Sequence, residues 1–179
     1  MTALTESASP AMLSTESAAS TRISIRHLVR SDVPVLKSIL DRTGVFRDEE
    51  ISVALELMAA FLDNPVQKDY DIYCAVSDTD IALGYVCFGP VPVSVGTYDL
   101  YWIAVDPDRP RMGLGRLLQQ HLESVVRKSG GRLVIAETSS LPKYEKTRNF
   151  YLSLGYKEVA RVPEYYLPGD DLLIFGKYL

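Results

Sequence analysis

The chain has 179 residues, of which 47% are hydrophobic and 23% charged, and its formal net charge is −4. This length and apolar content predict one domain with a sizeable core, and the acidic balance argues against nucleic acid as a partner. No apolar run approaches the roughly 20 residues that span a bilayer, so a membrane is not expected as a partner either. Cys74 and Cys87 lack a Cys-x-x-Cys motif and a nearby His, which favours reduced core thiols in a cytoplasmic protein over a disulfide or metal site.

The first 20 residues differ in composition from the rest of the chain. They are rich in Ser, Ala and Thr and contain no Lys or Arg. A secretory signal needs a basic start and an apolar run, and a transit peptide needs Arg without acids, so neither fits. We expect a disordered tail over residues 1–20 and a folded domain over residues 21–179.

The first half of the folded part contains both helical and strand-like patterns. Ser31 and Asp32 are residue types that cap helices, and Pro34 suits a first helical turn. The acids at positions 48–50 favour a second helix start because they complement the helix dipole. Together with the period-two segments, the pattern predicts a strand, two helices and three strands, over residues 23–28, 31–44, 48–64, 70–77, 81–88 and 97–105.

The most informative segment follows the last of these strands. Val105-Asp106-Pro107 leads into a basic loop, then Gly113-Leu114-Gly115, then apolar residues at helical spacing up to Val126. Such a turn directs free backbone N–H groups and a positive helix end to one point, where phosphates bind. The dinucleotide fingerprint is incomplete because Leu118 replaces its third glycine, and the chain has no Gly-Lys-Ser/Thr triplet of a P-loop. A tight strand-to-helix turn without a ligand stays open as the alternative.

The remaining elements complete an α+β order. Gly130 and Gly131 end the helix of the glycine segment, and a buried strand over residues 132–138 follows. Ser139 or Ser140 then caps a helix that ends at Gly155. Two strands around the turn 167–170 end the chain, so the predicted order is β-α-α-β-β-β-α-β-α-β-β with a mostly antiparallel sheet.

Two motifs resemble the GNAT superfamily, the acyl-CoA-dependent N-acyltransferases. Residues 105–115 are similar to the family's pyrophosphate loop, although Pro110 stands where Arg or Gln is usual. One strand and one helix later, residues 149–156 are similar to its Phe-Tyr-x-x-x-Gly-Phe/Tyr motif, and Tyr144 replaces a usual Asn. The resemblance covers residues 22–179 and points to a bacterial-type branch. It implies the GNAT fold, a mixed and mostly antiparallel central sheet flanked by helices.

The resemblance implies an enzyme that moves an acetyl group from acetyl-CoA to a primary amine by direct attack, without a metal. Acetyl-CoA is the expected co-substrate. In this family, a β-bulge in the central strand exposes a backbone N–H group to the thioester carbonyl. The resemblance implies that Ile103 supplies this N–H group here. The residues expected to bind coenzyme A are Ile103, Ala104 and Val105 in the strand, and Arg111, Met112, Gly113, Leu114, Gly115 and Arg116 in the loop.

The chemistry also requires proton transfers. An alkylamine is almost wholly protonated at pH 7, so a base matters, and Asp99 is the candidate, with a strand-end turn contact as the alternative. Tyr151 is the expected general acid for the thiolate, with a core tyrosine as the alternative. Glu137, Thr138 and Ser139 end a strand beside the expected cleft, and residues 164–171 surround a turn where the family often builds acceptor specificity.

The sequence leaves two properties open. It does not decide whether the acceptor is a small-molecule or a peptide amine, or whether the protein is a monomer or a homodimer. The rival function is a non-catalytic acyl-CoA-binding module that acts as a sensor or partner; Asp99 and Tyr151 together favour the enzyme because such a module needs neither.

Overall fold

The computed structural model describes residues 22–179, so the tail predicted over residues 1–20 lies outside the described residues. Short 3₁₀ turns at Arg30–Asp32 and Pro142–Tyr144 precede two of the helices. The predicted α+β order is confirmed. The elements are β1 Ser24–His27, α1 Val33–Thr43, α2 Asp48–Asp63, β2 Asp71–Val76, β3 Ala82–Pro90, β4 Thr97–Val105, α3 Leu114–Lys128, β5 Leu133–Ser139, α4 Glu145–Ser153, β6 Lys157–Leu167 and β7 Asp170–Tyr178.

The strands of the described residues form one sheet in the order β1-β2-β3-β4-β5-β7-β6. Every neighbouring pair is antiparallel except β4 and β5, which run parallel. The parallel pair is possible because α3 lies between β4 and β5 in the chain and supplies the crossover connection. The mixed, mostly antiparallel sheet is therefore as predicted.

Each face of the sheet carries its own apolar cluster. The cluster under α1 and α2 includes Leu36, Ile39 and Met58, all with 0% exposure. The opposite cluster contains the stripe of α3 residues around Leu118 and Leu122, together with Tyr151 of α4. Burying a side chain of this kind contributes about 1.5–3 kcal/mol, so the two clusters fix the helices on their faces. None of the helices within residues 22–179 is long and apolar enough to cross a membrane.

The two parallel strands separate halfway along their length. Their pairing covers Thr97 to Leu100 of β4 and Leu133 to Ala136 of β5, although both strands continue further. On the other side of β4, Cys87 pairs with Trp102 and Phe88 with Leu100, so Tyr101 is the extra residue of a β-bulge. The predicted bulge and the divergence of the strands leave an open gap beyond Leu100.

Two local features differ from what the residue types alone would indicate. The Asp32 carboxylate does not cap α1, because it accepts hydrogen bonds from the Arg26 guanidinium and the Val29 N–H instead. On α3, Gln119 and Glu123 are buried, with 0% and 5% exposure, although both side chains are polar. Their partners come from distant parts of the chain, Tyr156 and Lys177, and helical periodicity contains no information about them.

Candidate active site

A cavity of about 440 Å³ lies where β4 and β5 diverge. It is formed by five parts of the chain, namely the two strands, the α1–α2 connection, the start of α4 and the β6–β7 hairpin. The side chains in its wall are both aromatic and charged; among them are Phe46, Arg47, Glu50, Asp99, Tyr101, Trp102, Glu137, Lys143, Tyr144, Tyr151, Tyr166 and Asp170.

Both predicted catalytic residues line this cavity. Burial, and to a smaller extent the charge of Glu137, raise the pKa of the half-buried Asp99 carboxyl to about 6. Tyr151 is 4% exposed, and its ring packs 5.7 Å from the rings of Tyr156 and Phe175. Burial, followed by the charge of Asp99, raises the pKa of the Tyr151 phenol well above its usual range, so it stays protonated at neutral pH. The carboxyl and the phenol are therefore close enough to influence each other.

The direction of the β4 amides follows from a hydrogen bond at its end. The Asp106 N–H donates to the Leu83 carbonyl of β3 at 2.8 Å. Because N–H groups alternate in direction along a strand, those of Ile103 and Val105 point away from β3 and into the gap. The same alternation turns the Ala104 N–H toward β3. The Ala104 N–H is therefore not directed into the gap, and the coenzyme A contact expected of Ala104 stays a prediction.

The glycine segment forms the predicted tight turn into α3. Arg111 and Gly113 have φ angles of 66° and 69°. The Leu117 N–H bonds to the Gly113 carbonyl, so the amides of residues 114–116 have no partner within the helix and lie at its positive end. Loop residues 109, 111 and 116 are all exposed arginines. Free amides and cations at one helix end suit a pyrophosphate group.

The two glycines of this segment have different roles. A Cβ on Gly113 would meet no atom within 4 Å, so glycine is favoured there by its positive φ angle. A Cβ on Gly115 would approach the Phe150 ring to 3.1 Å. Gly115 therefore allows α3 to pack closely on α4, which the sequence motif alone did not indicate.

An arginine outside the motifs compensates the acidic side of the loop. The Arg42 guanidinium at the end of α1 forms salt bridges with Asp106, at 2.7 Å, and with Asp108. These two carboxylates directly precede the glycine segment, and unpaired they would repel a bound phosphate. No local pattern around Arg42 identified this role, because its partners are more than 60 residues away.

The start of α4 contacts the α1–α2 connection across the cavity. The Val45 carbonyl accepts hydrogen bonds from the Lys143 ammonium at 3.0 Å and from the Tyr144 hydroxyl at 3.4 Å. Tyr144 is the residue that replaces the Asn usual in the family motif. Its side chain thus contributes to the wall of the cavity and ties α4 to the opposite side of the sheet.

The β6–β7 hairpin adds another wall through a large irregularity. Its register breaks between Val162 and Leu167, and Glu164 has a φ angle of 53°. The break brings Tyr166 into the cavity, where burial first and the charge of Glu137 second raise its pKa to about 12. Asp170, 4% exposed, accepts hydrogen bonds from the Ser139 hydroxyl and the Ser140 N–H.

The wall of the cavity contains some residues that the sequence predicted near the cleft, lacks others, and includes some that the sequence did not indicate. Glu137 lines the cavity, whereas Glu164, Tyr165 and Asp171 lie outside its wall. Phe46, Arg47 and Glu50 line it as well, although the sequence indicated only a helix start there.

The two histidines lie outside the cavity and pack against the Tyr73 ring, with ring centroids 4.1 and 4.4 Å from its centroid. Within residues 22–179, no group of three His, Cys, Asp or Glu side chains could hold a metal ion.

Comparison with known proteins assigns the chain and its fold to a family. The family model of the acetyltransferase (GNAT) family matches residues 38–156. A solved structure from Desulfovibrio desulfuricans, described as an acetyltransferase of the GNAT family, is 39% identical, covers 88% of this chain and 99% of its own, and superimposes with a TM-score of 0.83. The chain therefore belongs to the GNAT acetyltransferase family, as the two sequence motifs predicted.

More distant structures share the fold. The ribosomal-protein-S18-alanine N-acetyltransferase of Escherichia coli is 23% identical, with 88% of this chain and 94% of that chain covered and a TM-score of 0.69. An acetyltransferase of Salmonella typhimurium, solved with acetyl-CoA, is 19% identical, with 89% and 95% covered and a TM-score of 0.68. No curated protein matches the chain by sequence.

Proposed function

We propose that the protein transfers an acetyl group from acetyl-CoA to a primary amine by direct attack, without a covalent enzyme intermediate. The observation that carries the proposal is one cavity, between diverging parallel strands, that contains both a carboxyl with a raised pKa and a buried phenol. A base and an acid in one cleft are what amine acetylation requires. The GNAT membership of the chain supports the same reaction class.

The residues present fit coenzyme A along two segments. The free amides of residues 114–116 and the exposed Arg111 and Arg116 would hold its phosphates, with Gly113 and Met112 shaping the turn. The N–H groups of Ile103 and Val105 would bind its extended arm in the manner of an added strand. Acetyl-CoA supplies the acetyl group in activated form, as a thioester.

Asp99 is the proposed general base. With a pKa of about 6 it is ionised at neutral pH, yet it is a stronger base than an ordinary aspartate. It would take the proton of the bound ammonium directly or through water, which leaves the nitrogen lone pair free to attack. The acceptor is a primary amine on a small molecule or a peptide.

Ile103 and Tyr151 would act on the thioester rather than on the amine. The Ile103 N–H would donate to the carbonyl oxygen as negative charge develops on it. The Tyr151 hydroxyl would give its proton to the departing sulfur, and its high pKa ensures that the proton is present at neutral pH. The buried free thiols Cys74 and Cys87 support a reducing, cytoplasmic location for this chemistry.

A screen of primary amines against acetyl-CoA, with thiol release as the readout, tests the proposal. Coenzyme A affinity is measured in parallel by calorimetry. The matched control is the double variant Asp99→Asn, Tyr151→Phe, which keeps the shape of both side chains and should bind coenzyme A without releasing thiol. Binding without thiol release in the native protein, for every amine, would instead identify an acyl-CoA-binding module.

A further inference from the structure

The charges in the cavity wall are not balanced. Carboxylates outnumber basic side chains there, with Glu50, Asp99, Glu137 and Asp170 against Arg47 and Lys143. Four of these six already have partners within the protein. The Arg47 guanidinium pairs with Glu50 at 3.3 Å, and Asp170 accepts bonds from Ser139 and Ser140. Lys143 is exposed, and its ammonium donates to the Val45 carbonyl at the cavity edge.

Asp99 and Glu137 are left without a cation. Within residues 22–179, neither of them takes part in a salt bridge. Asp99 pairs with Ile135 of β5, and Glu137 follows two residues later on the same face. Strand spacing and rise then separate the two backbone positions by about 8 Å. Two unpaired carboxylates therefore face one cavity from backbone positions about 8 Å apart.

We propose that the acceptor is a primary amine that carries a second positive charge, and that Glu137 binds the charge that does not react. This inference rests on the proposed function, because it assigns the reacting nitrogen to Asp99. Glu137 is then a specificity-determining residue. The rings of Trp102, Tyr144 and Tyr166 in the same wall would pack on the chain between the charges, and aromatic faces also attract cations.

The reaction leaves the second cation unchanged. One ammonium nitrogen gives a proton to Asp99 and forms the new N–C bond, the C–S bond breaks as the sulfur takes the proton of Tyr151, and the nitrogen releases its second proton to solvent. Proton exchange with solvent returns Asp99 and Tyr151 to their starting states. The product amide is neutral at the reacting end, so it loses its attraction to Asp99 and is held by Glu137 alone, which favours product release.

The separation of the two backbone positions predicts the approximate length of the acceptor. An alkyl chain of about four to six carbons holds two ammonium groups about 6–9 Å apart, which matches two carboxylates carried by backbone positions about 8 Å apart. The probes are α,ω-diamines of three to seven carbons, 1-aminopentane as the singly charged amine, and 6-aminohexanoate as an amine with a distal negative charge. Thiol release from acetyl-CoA gives kcat/KM for each.

We expect the four- to six-carbon diamines to exceed 1-aminopentane by at least about tenfold in kcat/KM, since charge-assisted hydrogen bonds are strong. The 6-aminohexanoate should be the poorest acceptor. Glu137→Gln should bring the ratio of diamine to monoamine close to one, with coenzyme A affinity unchanged by calorimetry. Glu145→Gln, which removes the same charge from an exposed position of α4 outside the cavity, should keep the wild-type ratio.

Three results would overturn the inference. Equal rates for diamines and 1-aminopentane in the native protein would exclude a site for the second charge. An equal loss with both acceptors in Glu137→Gln would show that Glu137 acts on the reacting nitrogen. Coenzyme A binding without transfer to any amine would overturn the proposed function and this inference together, and is distinguished by the absence of all thiol release.

Discussion

At the scale of single residues, Asp99 combines a functional role with a cost in stability. Burial raises its pKa to about 6, so folding keeps an ionised carboxylate in an unfavourable place at neutral pH. In the unfolded chain the group has its ordinary, lower pKa. The destabilisation is therefore absent at low pH, where the carboxyl is protonated in both states, and it is complete above about pH 6, where the carboxyl is ionised in both states.

The change Asp99→Asn should accordingly raise the melting temperature at pH 8, by about 2–5 °C. The gain should shrink as the pH falls below about 6, because the native carboxyl is then protonated and neutral as well. Thermal unfolding followed from pH 4.5 to pH 8 measures this. Asp78→Asn, at an exposed turn, is the control and should show no such pH dependence. A lower melting temperature for Asp99→Asn at pH 8 would contradict the assignment.

Tyr151 is the residue at which packing and catalysis are separable. Tyr151→Phe keeps the ring contacts with Tyr156 and Phe175 and removes only the hydroxyl. If the hydroxyl protonates the sulfur, kcat should fall about 10²-fold or more while coenzyme A affinity stays close to that of the native protein. Tyr178→Phe, at an exposed position of β7, should leave both unchanged. Full activity in Tyr151→Phe would remove this residue from the mechanism.

At the scale of elements, the turn before α3 can be tested without disturbing the helix packing. A side chain on Gly115 would collide with Phe150, so its substitution would mix stability with binding. Gly113 avoids this problem because the space around its Cα is open. Gly130, at the other end of α3, has a φ angle of 76° and the same open surroundings, so it provides a matched control.

Gly113→Ala and Gly130→Ala should each destabilise the protein by about 1 kcal/mol, because Ala is strained at positive φ. Only Gly113→Ala should weaken coenzyme A binding, by tenfold or more, since the turn would relax and misdirect the amides of residues 114–116. Calorimetric titration of both variants separates the two effects. Equal coenzyme A affinities in the two variants would show that the turn does not bind the phosphates.

At the scale of the whole molecule, the boundary of the folded domain can be tested by truncation. The matched family segment begins at residue 38, and the first strand begins at Ser24. Removal of residues 1–20 should therefore change neither the melting temperature nor the coenzyme A affinity. Calorimetry of the truncated and full-length chains measures both quantities. A large drop in either would mean that the tail contacts the domain.

The cavity itself is a property of the whole molecule. Its wall combines Phe46 from the α1–α2 connection, Asp99 from β4, Glu137 from β5 and Tyr166 from the β6–β7 hairpin. The first and last of these residues, Phe46 and Tyr166, are 120 positions apart in the chain. The sequence predicted Asp99 and Tyr151 because each lies in or near a motif. It placed no weight on Phe46 or Arg42, because nothing in their own neighbourhood distinguishes them from surface residues.

The sequence by itself determined the elements, their order, the glycine turn and the family. These features depend on interactions between residues a few positions apart, such as the 3.6-residue period of α3 and the left-handed turn at Gly113, so they can be read locally. Only the tertiary structure decided which polar groups are buried and which charges remain unpaired. Gln119 became a core residue because the Tyr156 hydroxyl accepts a hydrogen bond from its side-chain amide at 2.5 Å. Glu137 faces Asp99 because β4 and β5 are brought side by side and then diverge, and that long-range pairing leaves no local trace in the chain.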